Sequence, residues 1–305
     1  MKRKTIWGGK WTDEKLDAFE KYVKAYLTIM NAFRDRFGWK LIYFDGFAGS
    51  GTRSLEEENK EVEHAVDLFG QEIVAEDLRV YRGSAERVVK IEGERMRGFD
   101  HYYFVDTLKE NCDALENKLI QYPTVGKKHY LNRDANDAVS MLASTLHKYS
   151  SCKALAFLDP FGMQIDWSSI QALKELSVDL WILVPTGVIV NRLLERKVDI
   201  QKGLVHAEKL ERFFGMKEME IRSFFYTETQ VPSLFGEEET VITKVENAIR
   251  KIADLYVKRL AEIFPYVTEG PMVLYNTQNV PIYHLVFASK NKTAMTIAQD
   301  IINRR

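Results

Sequence analysis

Apolar residues in this chain recur with two periods, and the alternation between the periods is its main architectural signal. Over 11–37, Leu16, Phe19, Tyr22, Val23, Tyr26, Leu27, Met30 and Phe33 fall at three- and four-residue steps, the stripe of an amphipathic helix whose aromatics belong in a core. Gly38 supplies its stop. Aromatic and β-branched runs then predict strands at 39–44, 101–106, 128–131, 154–158 and 178–185, with helical stripes at 84–97, 107–121 and 135–148 between them. Ser84 reads as the N-cap of the first of these, with Glu86 near its positive end. The run Ala154–Leu158 is apolar throughout, as in a strand buried on both faces. Segments 271–275 and 282–288 flank a polar turn and predict an antiparallel pair, and a short helix over 292–303 closes the chain.

Two stretches interrupt this rhythm. Residues 53–82, opening with a charged tract from Arg53 to Glu63, have little to bury and read as an insertion, either solvated surface or a lid beside the preceding loop. From 186 to about 265 the sequence turns helical and charged, with Arg192, Arg196, Lys197 and Arg212 in one part and Arg250, Lys251, Lys258 and Arg259 in another. Solvated helix faces and a helical subdomain gathering phosphate contacts share that pattern. The expected organisation is a main domain of 1–189 plus 266–305 and a helical subdomain of 190–265.

Composition narrows the class. The chain has 305 residues, 46% hydrophobic and 29% charged, with a formal net charge of −1, which suits a globular α/β protein and excludes a generally basic nucleic-acid coat. No apolar run reaches the ~20 residues of a membrane span, and the basic start Met1–Lys4 is followed by no apolar leader core, so the expected residence is cytoplasmic with no membrane partner. Cys112 and Cys152 lack the spacing of a metal site or disulfide framework, and six scattered histidines lack zinc spacing, so no metal is expected.

The candidate chemistry lies where strands stop. The first strand ends in Asp45-Gly46-Phe47-Ala48-Gly49-Ser50-Gly51-Thr52, and its glycines let backbone approach a nucleotide-like ligand. A P-loop would need Lys-Ser/Thr after the last glycine, and a dinucleotide fingerprint would read G-x-G-x-x-G rather than G-x-x-G-x-G. Asp106 ends the second strand, where an acid accepts hydrogen bonds from ribose hydroxyls. Asp134 could accept an adenine amine while the Ala135 N–H meets a ring nitrogen; it could equally cap helix 135–148, and the two are compatible. Asp159-Pro160-Phe161-Gly162 ends the fourth strand; it has the residues of a type I turn, and it stands where open α/β sheets bind ligands.

Asp45-x-Phe47-x-Gly49-x-Gly51 resembles motif I of class I S-adenosylmethionine (SAM) methyltransferases, and Asp159-Pro160-Phe161 resembles motif IV of amino-methyltransferases with its second proline missing. Together with Gly83-Ser84, Phe104-Val105-Asp106, Phe213-Phe214-Gly215 and Tyr283–Ser289, these motifs make the chain similar to the three-Cys-motif partner family over most of its length. That resemblance implies a Rossmann-like class I methyltransferase fold, a mostly parallel seven-stranded sheet with an antiparallel C-terminal strand and a winged-helix-like segment near 190–265. It also implies a bacterial or phage-associated setting, SAM as cofactor and a partner carrying three cysteines. The motif I and IV likenesses assign Asp45, Gly46, Phe47, Ala48, Gly49 and Gly51 to the methionine end of the cofactor, and Asp159, Pro160 and Phe161 to catalysis on an exocyclic amine of DNA or RNA. The competing expectation is a SAM- or nucleotide-binding partner module without catalysis.

Overall fold

The computed structural model describes residues 10–51, 83–93, 96–187, 189, 207–232, 238–276 and 279–304. The 53–82 insertion and the basic residues Arg192, Arg196, Lys197 and Lys202 lie outside them. Helix α1 (Lys10–Phe37) leads into β1 (Lys40–Asp45); α2 (Ser84–Gly93), β2 (His101–Asp106), α3 (Lys109–Leu119), β3 (Lys127–Asn132), α4 (Ala135–Lys148), β4 (Cys152–Leu158), α5 (Trp167–Gln171) and β5 (Val178–Val184) follow. Next come α6 (Ala207–Phe214), α7 (Glu218–Phe225), the hairpin β6 (Tyr226–Pro232) and β7 (Glu238–Lys244), and α8 (Ala248–Leu260). The chain closes with β8 (Tyr266–Val267), β9 (Met272–Tyr275), β10 (Pro281–Ser289) and α9 (Lys292–Asn303).

The main sheet runs β3-β2-β1-β4-β5-β10-β8, with β9 also paired to β10. Strands β1 to β5 are mutually parallel, and β10 is antiparallel to β5. This is the doubly wound, Rossmann-like arrangement expected from the alternation, with the order reversing at β1/β4. Among the described residues it has eight strands rather than seven, because the edge beside β10 is divided between the short β8 and β9, which pair with its two ends.

Side-chain alternation divides the core into two layers. Ile42, Phe44, Ala156, Leu158, Leu180, Ile182 and Val286 face one side, under α4, α5, α6, α7 and α8. Leu41, Tyr43, Phe104, Leu155, Phe157, Trp181 and Phe287 face the other, under α1, α2, α3 and α9. Helix α1 is fixed by aromatic packing: Phe19 stacks on Phe157 at 4.2 Å between centroids, and Tyr22 meets Trp181 edge-on at 5.3 Å. Such pairs add ~0.5–1.5 kcal/mol each beyond the area they bury. The stripe does not stay buried along the whole helix: Leu27 is fully covered, whereas Phe33 is 43% exposed.

Two further expectations change. Ser84 is the first helical residue of α2 and sends its hydroxyl to Asp45, so Gly83, whose carbonyl accepts from the Arg87 N–H, stands at the cap position instead. The 186–265 stretch, expected to be helical, contains the antiparallel β6–β7 hairpin paired from Tyr226/Lys244 to Pro232/Glu238. Its helices pack against the sheet: Leu210, Phe213, Phe214, Ile221, Phe225 and Tyr256 lie in the same apolar cluster as Ile182 and Val286. Gly215 has φ of 60° and packs so closely that an added Cβ would lie 2.1 Å from the Trp167 ring.

Candidate functional site

Every sequence-assigned site residue closes or follows the carboxyl end of a parallel strand. Asp45 closes β1 and Gly46 through Gly51 follow it, Asp106 closes β2, Asp134 and Ala135 follow β3, and Asp159, Pro160 and Phe161 follow β4. Backbone hydrogen bonds tie these ends together. The Gly46 N–H donates to the Phe157 carbonyl at 3.0 Å, the Ala48 N–H to the Val105 carbonyl at 2.9 Å, and the Arg133 N–H to the Asp106 carbonyl at 3.0 Å.

The glycine loop uses its glycines differently. Gly49 and Gly51 adopt φ of 59° and 66°, a backbone region that disfavours side chains. Gly46 instead makes room for the neighbouring strand: a Cβ there would lie 2.5 Å from Leu158 Cδ2. Lys118 of α3 donates to the Gly51 carbonyl and reaches Glu86 of α2 at 2.6 Å, so the loop is held from both helices. Burial opposes ionisation of Glu86, but hydrogen bonds from Lys118, Lys90 and Tyr122 prevail and bring its pKa down to about 2.

Asp45 is fully buried and accepts hydrogen bonds from Ser84 Oγ at 2.7 Å, Tyr43 Oη at 3.0 Å and the Phe47 N–H at 3.2 Å. Burial raises its pKa to about 6 against those bonds, and the charge of Asp159 adds to the rise. Asp45 therefore fixes the geometry of its own loop, and its ionisation falls within two units of neutrality. Asp106 Oδ1 accepts from the Leu108 N–H at 2.8 Å and Asn111 Nδ2 at 3.0 Å, which orients a half-buried carboxylate at the end of β2. Asp134 is the N-cap of α4, accepting from the Asn136 N–H at 2.8 Å; its capping role is thus observed.

Asp159 and Pro160 are buried and Phe161 is partly exposed. The Asp159 carboxylate receives Lys15 Nζ of α1 at 2.5 Å, with the two side chains 10% and 2% exposed. Phe161 is held through its backbone: its N–H donates to Gln164 Oε1 at 2.9 Å, and its carbonyl accepts from Tyr283 Oη at 3.0 Å. Asn136, in the first turn of α4, donates to the Gln164 carbonyl and accepts from the Asp166 N–H, both at 2.9 Å. The loops after β3 and β4 are therefore joined through one side chain. Next along the sheet, His284 of β10 lies 2.8 Å from Thr186 Oγ1, and burial brings its pKa down to about 4, so it is neutral near pH 7.

Lys15, Asn136 and Gln164 were not among the residues the sequence singled out, and Ser84 and Tyr283 were noted only as a helix cap and within family-like motifs, not as site residues. Lys15 did carry a signal, because it stands four residues before Phe19 on the apolar face of α1, where a charge needs a buried partner. The others are ordinary polar residues whose roles arise only from long-range contact. A cavity of about 530 Å³ lies elsewhere, between α5, α6 and α8, lined by residues including Asp166, Trp167, Arg212, Gly215, Arg259 and Glu262. Two ion pairs line it, Arg212 with Asp166 at 2.8 Å and Arg259 with Glu262. Among the described residues no group of three or more His, Cys, Asp and Glu could hold a metal ion, and no helix is long and apolar enough to cross a membrane.

No protein-family model matches the chain, and no curated protein matches it in sequence. Among solved structures it is similar to Trm1 from Pyrococcus horikoshii in complex with S-adenosyl-L-methionine, at 9% identity and a TM-score of 0.42. That alignment covers 94% of this chain and 58% of that one, so the chain spans less than two thirds of its neighbour. A conserved hypothetical protein of Streptococcus pyogenes is similar at 14% identity and a TM-score of 0.27, over 72% of this chain and 96% of that one.

Proposed function

We propose that the protein is an S-adenosylmethionine-dependent methyltransferase acting on an exocyclic amine of a nucleic-acid base. The observation that carries the reading is the row of oriented carboxylates and positive-φ glycines along the carboxyl ends of β1, β2 and β4, where the strand order reverses. The donor set suits the cofactor: Gly49 and Gly51 allow close approach at its amino-acid end, Asp106 suits a ribose diol, and Asp134 with the Ala135 N–H suits adenine. When bound, S-adenosylmethionine supplies a methyl group activated on a sulfonium.

This chain's own residues then position and polarise the acceptor. An exocyclic amine has its lone pair delocalised into the ring; Asp159 and the Pro160 carbonyl accept its hydrogens and localise that pair on nitrogen. Phe161, clamped at its N–H and carbonyl, offers a ring on which a flipped or single-stranded base stacks. Lys15 keeps Asp159 oriented from behind. Holding two reactants in line contributes about 7–11 kcal/mol to such a transfer.

One observation favours a second reading. Asp159 already binds a buried ammonium at 2.5 Å, as it would in a module that binds S-adenosylmethionine or a nucleotide, serves a three-Cys-motif protein and transfers nothing. Methyl-labelled S-adenosylmethionine incubated with the protein and with single-stranded DNA, duplex DNA, RNA and protein fractions separates the two. Label in nucleic acid is the expected result, and label in none of the fractions despite cofactor binding favours the second reading.

A further inference from the structure

The stripe of α1 leaves the core before the helix ends, and what it exposes forms a patch at the amino ends of β1 and β4. Phe33 and Phe37 are 43% and 52% exposed. Phe37 stacks on the partly exposed Trp39 at 5.0 Å and 23°, and Phe33 stands 6.4 Å behind it, giving a row of three rings. Cations line that row. Arg36 lies 5.3 Å from the Phe37 centroid and Lys153 Nζ, which also donates to the Ser150 carbonyl and Ser177 Oγ, lies 5.6 Å from that of Trp39; Lys40 stands 3.7 Å from Asp100 and leaves 60% of its side chain to solvent. Lys153 is crowded further: burial and then the charge of Lys290 push its pKa down, which an incoming anion would relieve. The adjoining acids are matched already, Asp35 by Arg97 and Asp100 by Arg34, both at 2.7 Å.

We propose that this patch is a docking surface for single-stranded nucleic acid, with bases stacking on the Phe33–Phe37–Trp39 row and phosphates on Arg36, Lys40 and Lys153. Exposed rings interleaved with cations are the combination that unpaired strands require, because every base has a face to stack and every link a charge to match. A duplex hides those faces. The net charge of −1 makes the patch a local feature rather than part of a basic coat. It lies at the opposite end of the sheet from Asp45 and Asp159, and it needs neither S-adenosylmethionine nor methyl transfer to operate.

The test is fluorescence anisotropy of the full chain with a labelled single-stranded oligonucleotide of mixed sequence, against the same strand in a duplex, across a salt series. Wild type should prefer the single strand by about tenfold, and Phe37→Ser should weaken that binding by about tenfold through loss of stacking. The pair Lys40→Gln and Lys153→Gln should lower the slope of log affinity against log salt by about 1.4 for two lost single-strand contacts. Circular dichroism confirms that the variants are folded; Lys40 and Phe37 are exposed enough to change without touching the core. Equal affinity for the duplex, wild-type binding by Phe37→Ser, or self-association of the chain that Phe37→Ser abolishes would each overturn the assignment.

Discussion

The two ends of the parallel sheet differ in how much charge and aromatic surface they leave to solvent. At the carboxyl end, charge is buried and paired, as with Asp45 among Tyr43, Ser84 and Phe47, and Asp159 against Lys15. At the amino end, about 20 Å away for strands of this length, one buried pair, Arg34 with Asp100, stands beside exposed cations such as Arg36 and Lys40 and aromatic rings that face water. Buried carboxylates with fixed partners can orient a small molecule and change a reaction barrier; exposed cations and rings can hold a long, flexible one. The difference also sets what each end loses on mutation, since a buried partner cannot be replaced by water.

Breaking the carboxyl end at its ion pair should have the largest effect on stability. Lys15→Met leaves Asp159 buried beside an apolar chain and should cost about 3–5 kcal/mol, measured by urea unfolding. Adding Asp159→Leu should recover much of that loss; a double variant as unstable as Lys15→Met would mean that the pair itself is not the source.

Acidity sharpens the contrast next. Neutral His284, with its pKa brought from 6.5 down to about 4, contributes stability that is lost as pH falls through that window. Asp45 has the opposite sign: its pKa is raised from 3.8 to about 6, so its contribution favours folding below the unfolded value and is lost as pH rises through about 6. Each is worth roughly 3 kcal/mol by the pKa difference, and the two nearly cancel between pH 4 and 6. Asp45→Asn should therefore unmask a stability that climbs with pH across that range, and His284→Asn one that declines. Parallel profiles for both variants and wild type would refute the opposition.

A smaller effect is expected at Gly46. Its substitution by Ala puts a methyl against Leu158 and should cost about 1–3 kcal/mol, read as a lower thermal midpoint. The smallest belongs to the amino end: Lys40→Gln should change stability by less than about 0.5 kcal/mol. A large loss there would show that the exposed patch is structural after all.

Much of this was legible in sequence because periodicity reports burial. Strands β2, β4 and β5, helix α4 and helix α9 follow from apolar runs and stripes, and Asp45 and Asp106 close β1 and β2 as the sequence pattern indicates. The hairpin β6–β7 was hidden because its residues, such as Thr227, Glu228 and Gln230, are exposed and carry no apolar alternation. Contacts far apart in sequence were also invisible: Lys15 meets Asp159 across 144 positions, and Tyr283 meets Phe161 across 122. A single chain displays which residues want to be buried, but not which partner burial brings to them.

The role proposed for Asp159 is in transfer rather than in binding. The direct test is to measure S-adenosylmethionine affinity by calorimetry and methyl transfer to single-stranded nucleic acid on the same preparations of wild type and Asp159→Asn. Transfer by Asp159→Asn should fall by about 10²–10⁴-fold, with cofactor affinity within about threefold of wild type, a free-energy difference near 0.6 kcal/mol. Undiminished transfer by Asp159→Asn would contradict that role.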